Sequence, residues 1–206
     1  MTVYRRLFRA YGPQQWWPAE TRFEVMVGAV LTQNTAWTNV EKAMDNLRRA
    51  GALEAERLVA MRGGRLAQLI RPSGCFNVKA GRLLNLCRWF HAGGGFPGLD
   101  PRPTAGLRES LLGVKGVGPE TADDILLYAF QRPVFVIDAY TRRLLGALEL
   151  GSGEEGYETL RGLFESRRLP ALQGGSASLR PLVGRHAGVC QYPVFFLKPL
   201  NYFSIV

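Results

Sequence analysis

Cysteine is scarce: Cys75, Cys87 and Cys190 are the only three in 206 residues. They are widely spaced and odd in number, which argues against a disulfide framework and against a four-cysteine zinc or iron–sulfur site, and fits a reducing compartment. Lysine is nearly as rare, limited to Lys42, Lys79, Lys115 and Lys198, and the two histidines are His91 and His186. No apolar run reaches the roughly 20 residues that span a bilayer. The opening MTVYRRLFRAYG lacks the apolar core of a secretory signal. These absences point to a soluble, intracellular protein with no membrane partner.

What the chain does contain is a core and a charge surplus. Hydrophobic residues make up 47% of the sequence and charged ones 21%, a composition that folds rather than stays disordered. The length suits one ordinary domain or two small ones sharing a core. The 26 Lys+Arg residues, mostly arginine, against 17 Asp+Glu leave a net charge of +9. Such a surplus suits a polyanionic partner, although charge alone also serves solubility.

The periodicity is helical. Phe23, Met26, Val27, Val30 and Leu31 follow the i, i+3, i+4, i+7, i+8 spacing of a helix facing a core, and Val40, Met44 and Leu47 continue the pattern up to a stop at Gly51. Helical patterning from Glu54 to Ile70 is interrupted by Gly63-Gly64; a turn at RPSGCFN follows, then a helix from about Val78 to Phe90. HAGGGFPG reads as a linker too rich in glycine for a regular element. TAGLRESLLGV and PETADDILLYAF read as helices joined by a tight VKGVG turn, with Pro119 at a first helical position. RPVFVI is the one strand-like run, and it leads into Asp138, placed to cap a helix containing Tyr140, Leu144, Leu145 and Leu148. YETLRGLFESRR is again helical, so the class is all-α. The ending QYPVFFLKPLNYFSIV reads as a tail packed on the body.

Gly116 and Gly118 let the chain reverse tightly between two helices and present amide groups at a helix N-terminus. Free N–H groups there, backed by the helix dipole and by Lys115, make a phosphate-binding hairpin, with an ordinary interhelical turn as the alternative.

LLGVKGVGPETADDILLYAF followed by RPVFVIDAYTRRL resembles the helix-hairpin-helix and aspartate-containing signature of the endonuclease III superfamily of DNA glycosylases. FEVMVGAVLTQNT and PSGCFNVKAGRL resemble that family's helices and wedge loop, so the likeness runs from Met1 to about Leu150. It implies a six-helix domain over 21–132 and a second helical domain built from 1–20 plus 133–206, with the substrate cleft between them. It also implies that Asp138 is the catalytic carboxylate, whereas the residue alone would suggest a structural cap. Its place at a helix start favours the ionised form. The implied partner is double-stranded DNA carrying a damaged base, bound by a monomer in the cytoplasm at the nucleoid.

Members that also cut the DNA backbone are similar to this chain around G-V-G-x-K-T-A, where the lysine forms a Schiff base; here that position is Glu120. The resemblance therefore implies a monofunctional enzyme whose nucleophile is water positioned by Asp138. The family's iron–sulfur cluster needs four cysteines and only Cys190 lies in that region, so no cluster is expected, although a monovalent cation at the hairpin is a feature of related proteins. QQWWPAE, with Trp37 after TQNT, is similar to the 3-methyladenine DNA glycosylases of the superfamily, in which these positions line the base pocket. That assigns Trp16, Trp17, Pro18 and Trp37 to substrate binding, while core packing is the plainer role for tryptophan. A methylated, cationic purine gains about 2 kcal/mol from stacking on such rings once desolvated, and it leaves without a general acid, in keeping with the absence of histidine from the motifs. Trp89, on a helix face without a motif, reads as core.

Further positions carry over. Gln33 matches the glutamine that fills the gap left by a flipped nucleotide, and Cys75 stands where a larger apolar wedge is usual, so that either Phe76 takes the role or the wedge is weak. Asn77 and Lys79 are placed to contact phosphates, with a solvated helix charge the alternative for Lys79; Thr121 belongs to the hairpin set. LRPLVGRHAGVC only partly matches the family's ALIVRHGK-like helix, with Gly188 in the lysine's place, and a truncated or frame-shifted gene end would account for the divergent tail. A uracil- or thymine-mismatch glycosylase and a non-catalytic DNA-binding module are the competing readings.

Overall fold

A computed structural model describes residues 9–10, 17–61, 64–147 and 152–166. The described residues are helical and carry no strand. They fall into two compact units, one spanning Ala19–Arg132 and the other containing Pro133 onwards together with Trp17 and Pro18.

The first unit is built on α1, Arg22–Leu31, in which every residue from Phe23 to Leu31 is buried. A helix apolar nearly all round belongs at the centre of its domain. Its start is capped by a side chain: Thr21 Oγ1 accepts the Glu24 N–H at 3.1 Å, while Glu24 Oε2 accepts the N–H of Glu20, one residue before the cap, at 3.2 Å. The buried Glu24 carboxylate is then paired by Arg48 at 2.9 Å from α2, Trp37–Arg49. Val40, Ala43, Met44 and Leu47 line the inner face of α2. Its end is a Schellman motif: Gly51, at φ 61°, lets its own N–H reach Arg48 O and the Ala52 N–H reach Leu47 O, both at 2.9 Å.

Two short helices follow, α3 at Ala55–Ala60 and α4 at Arg65–Leu69, then a 3₁₀ turn at Arg71–Ser73 and the long α5, Phe76–Ala92. HAGGGFPG is not the unstructured linker that its glycine content suggests, because α6 forms over Gly95–Leu99. Packing overrides propensity here. Phe96 sits in a chain of rings, 4.8 Å from Phe90 and 5.4 Å from Phe130, with the Arg22 guanidinium 3.9 Å over its face. Arg22 also bonds Asp100 through both terminal nitrogens, at 3.0 and 2.5 Å, and Ala129 O at 2.6 Å. The glycines permit this tightness: a Cβ on Gly98 would lie 2.2 Å from Gly93 O. The hairpin helices are α7, Thr104–Leu112, and α8, Pro119–Asp124, which runs on into a π turn over Ile125–Ala129.

In the second unit RPVFVI forms no strand. With no neighbouring strand to pair with, its backbone is served by side chains of α10, Tyr157–Ser166: the Phe135 N–H reaches Glu165 Oε1 at 3.1 Å and the Ile137 N–H reaches the Tyr157 hydroxyl at 3.4 Å. Phe135, Ile137, Leu145 and Leu160 make a small core, with Phe135 stacked on Phe164 at 4.1 Å. α9, Ala139–Ala147, starts directly after Asp138. The expectations for residues 1–8 and for the tail beyond 166 lie outside the described residues.

Candidate functional site

The turn between α7 and α8 is anchored by the buried Val114 and Val117, with the Val117 N–H closing on Val114 O at 2.9 Å. Gly116 takes φ 102°, a conformation that L side chains rarely adopt, and its missing side chain is the seat of Arg82: a Cβ there would lie 2.3 Å from Arg82 Cγ. Gly118 is different. Its φ is −92° and a Cβ there would meet nothing within 4 Å. The sequence-based expectation that both glycines serve the backbone conformation therefore holds at 116 and is corrected at 118, where the fold itself makes no demand for glycine. Gly118 is the N-cap of α8 and offers no side-chain cap, Pro119 follows at N1, and Glu120 is exposed in the first turn.

The hairpin is braced from two other elements. Gln33, just beyond α1, donates from Nε2 to Gly116 O at 3.1 Å and to Thr121 Oγ1 at 2.9 Å, and its Oε1 accepts from Arg82 of α5. Asn85, also on α5, donates to Lys115 O at 3.0 Å, while the Lys115 side chain stays exposed. From below, Arg108 grips Asp123 in a two-pronged pair at 2.7 and 3.0 Å, with the carboxylate fully buried. That pair ties α7 to α8. Arg82, Asn85, Arg108 and Asp123 were not singled out from sequence, because nothing in their local spacing marks them; only the buried position of an aspartate inside PETADD hints at a charged partner.

In the loop before α5, Gly74 and Cys75 both take positive φ, 68° and 43°, with Cys75 in the left-handed helical region and exposed as the N-cap of the helix. Phe76, one of the two alternatives for the wedge, is half-buried, whereas Asn77 is exposed and Val78 is 55% exposed. Lys79 contradicts both sequence-based expectations. It is 2% exposed, so it neither reaches a phosphate nor sits solvated. Its Nζ donates to Leu31 O at 2.8 Å and Ser73 O at 2.6 Å, cross-linking the end of α1 to the loop, and burial pushes its ammonium below the ordinary lysine range.

Asp138 is a buried residue, 3% exposed, at the N-cap of α9. Its Oδ1 accepts the Thr141 N–H at 2.8 Å and the Thr141 hydroxyl at 2.9 Å. The capping role is thus present in the geometry, and it holds the carboxylate in one orientation. Trp17 is half-buried and Pro18 exposed; Trp37 is half-buried at the first position of α2, its indole N–H donating to Glu41 at 3.0 Å. Trp89 is also half-buried. Trp16 lies outside the described residues. The structure therefore groups Gln33, Lys115, Gly116, Gly118 and Thr121 around one hairpin. Among the described residues no three His, Cys, Asp or Glu side chains converge as metal ligands. In the hairpin the carbonyls of Val114, Lys115 and Gly116 each accept an N–H from within the protein. No helix among the described residues is long and apolar enough to cross a membrane.

Residues 27–167 match the model of the HhH-GPD superfamily of base excision DNA repair proteins. A candidate DNA repair glycosylase of Methanocaldococcus jannaschii is 44% identical over 171 residues, 82% of this chain and 77% of the relative. Endonuclease III of Thermotoga maritima is 31% identical over 147 residues, covering 69% of this chain and 65% of that protein. Among solved structures, a 3-methyladenine DNA glycosylase of H. pylori bound to 1,N6-ethenoadenine superposes with a TM-score of 0.74 at 28% identity, over 98% of both chains. A braced hairpin between α7 and α8 and an oriented aspartate at the start of α9 are thus set in a chain that belongs to the HhH-GPD superfamily of base excision DNA repair proteins, as a DNA N-glycosylase.

Proposed function

We propose that this glycosylase is monofunctional and removes alkylated purines, 3-methyladenine first among them. The observation that carries the reading is Glu120, exposed in the first turn of α8 where the lyases of the family hold their lysine. A carboxylate cannot form an imine with the sugar, so the reaction ends at the abasic site. The likeness to a 3-methyladenine glycosylase over 98% of both chains, at 28% identity, supports the choice of base.

In the proposed reaction the N-glycosidic bond breaks with its electron pair passing to the base. A cationic methylpurine leaves neutral and needs no acid. Asp138 faces the positive charge that builds on the sugar and takes the proton of the attacking water. Its bonds to Thr141 are the reason the carboxylate needs no reorientation as that charge develops. Trp16, Trp17, Pro18 and Trp37 are assigned to the base, stacking on the cationic ring. DNA backbone is assigned to Lys115, Gly116, Gly118 and Thr121, with Asn77 and Cys75 on the loop before α5. Gly118 gives this its best support, because open space at an exposed glycine of ordinary φ leaves room for a phosphate against the backbone.

Chromatography of bases freed from methylated and from uracil-containing duplexes tests the reading. Release of 3-methyladenine with strands intact until alkali is added is the expected result. Release of uracil, or strand cleavage before alkali, would overturn it.

A further inference from the structure

Gln33 has every polar atom of its side chain engaged within the protein. Its two amide N–H groups serve Gly116 O and Thr121 Oγ1, and its carbonyl takes the Arg82 guanidinium. Arg82 is in turn fixed by the space that Gly116 leaves open, where a Cβ would overlap its side-chain stem at 2.3 Å. The network thus closes on itself: hairpin glycine, α5 arginine, glutamine after α1, hairpin carbonyl. Asn85 adds a parallel brace on Lys115 O. Because a trans peptide points its N–H opposite to its C=O, pinning Lys115 O inward aims the Gly116 N–H outward.

We infer that Gln33 is a positioning residue, which with Arg82 holds the hairpin in its DNA-gripping shape, and that it does not fill the gap left by a flipped nucleotide. To enter a duplex Gln33 would give up all three bonds, leaving a half-buried guanidinium, a hairpin carbonyl and a buried threonine hydroxyl without this partner. The same three bonds explain why a glutamine is needed: only an amide donates twice and accepts at one side-chain end. A role for Gly116 beyond its φ follows as well, since any side chain there displaces Arg82.

This inference rests on the hairpin being the DNA grip, as proposed above, and the two are separable by experiment. The test measures binding of wild type, Gln33→Ala, Arg82→Met and the double variant to undamaged duplex and to a duplex with one abasic site, alongside hydrogen exchange of the hairpin amides. Arg82→Met keeps the stem in its seat and removes only the guanidinium. Both single variants are expected to weaken the two duplexes by the same factor, about tenfold, and to speed exchange at residues 114–118. The double variant is expected to be no worse than either single one, as for members of one network. Loss confined to the abasic duplex, with hairpin exchange unchanged, would return Gln33 to gap filling and overturn the inference. Additive losses would give Arg82 a separate DNA contact and overturn it too. Gly118→Ala, outside the network, reports on the grip itself: unchanged binding there would sink the hairpin reading, while hydrogen exchange would still decide the role of Gln33.

Discussion

Two helix starts in this molecule are built in opposite ways. α8 begins at Gly118 with no side chain to cap it and a proline at N1, so its first N–H groups are left unserved by the residue that precedes them. α9 begins at Asp138, whose carboxylate caps the helix through the Thr141 N–H. Both are helix N-termini with the same partial positive charge. One is capped by a side chain of its own sequence, and the other is the start to which the proposed phosphate contact is assigned. In the proposed function the contrast separates two tasks: holding phosphate, for which a capping carboxylate would be repulsive, and presenting a fixed carboxylate to developing positive charge.

Breaking the contrast at the catalytic end is expected to have the largest effect. Asp138→Asn keeps a good cap and should leave the melting temperature nearly unchanged, while turnover on methylated DNA falls by at least about 100-fold. Gly116→Ala comes next: the positive φ and the overlap with Arg82 should cost about 2 kcal/mol in urea unfolding. Gly118→Ala sharpens the comparison within the hairpin, since its stability should stay within about 0.5 kcal/mol of wild type while DNA affinity falls about tenfold. The smallest effect at working pH belongs to a group in neither helix start. Burial pushes the Cys87 thiol from 9.0 up to about 12. Above pH 9 the unfolded chain therefore loses this proton and the native one keeps it, so stability falls as pH rises from 9 towards 12. Cys87→Ala should flatten that part of the stability–pH curve.

Much of this was legible in the sequence for physical reasons. Periodicity over Phe23–Leu31 and Val40–Leu47 located α1 and α2 because their apolar faces are what they bury. Asp138 announced its helix because capping is a local interaction. HAGGGFPG misled because its helix is made by contacts among Phe90, Phe96, Phe130 and Arg22, distant in sequence and invisible to any window along the chain. Lys79 misled for the same reason: a lysine in the first turn of an exposed helix end looks solvated until Leu31 O and Ser73 O are brought to its ammonium. The glycine pair shows a finer limit. Spacing marks both residues alike, and only the geometry reveals that Gly116 serves the fold and Gly118 serves none of it.

The most direct test of the account measures DNA binding and base release side by side for Asp138→Asn and Gly118→Ala on one methylated duplex. A crossing is expected: the Asp138 variant binds like wild type and releases no base, and the Gly118 variant binds weakly yet releases base normally once the enzyme saturates the DNA. Equal loss of binding in the Asp138 variant, or lost release at saturation in the Gly118 variant, would contradict the division of labour between the two helix starts.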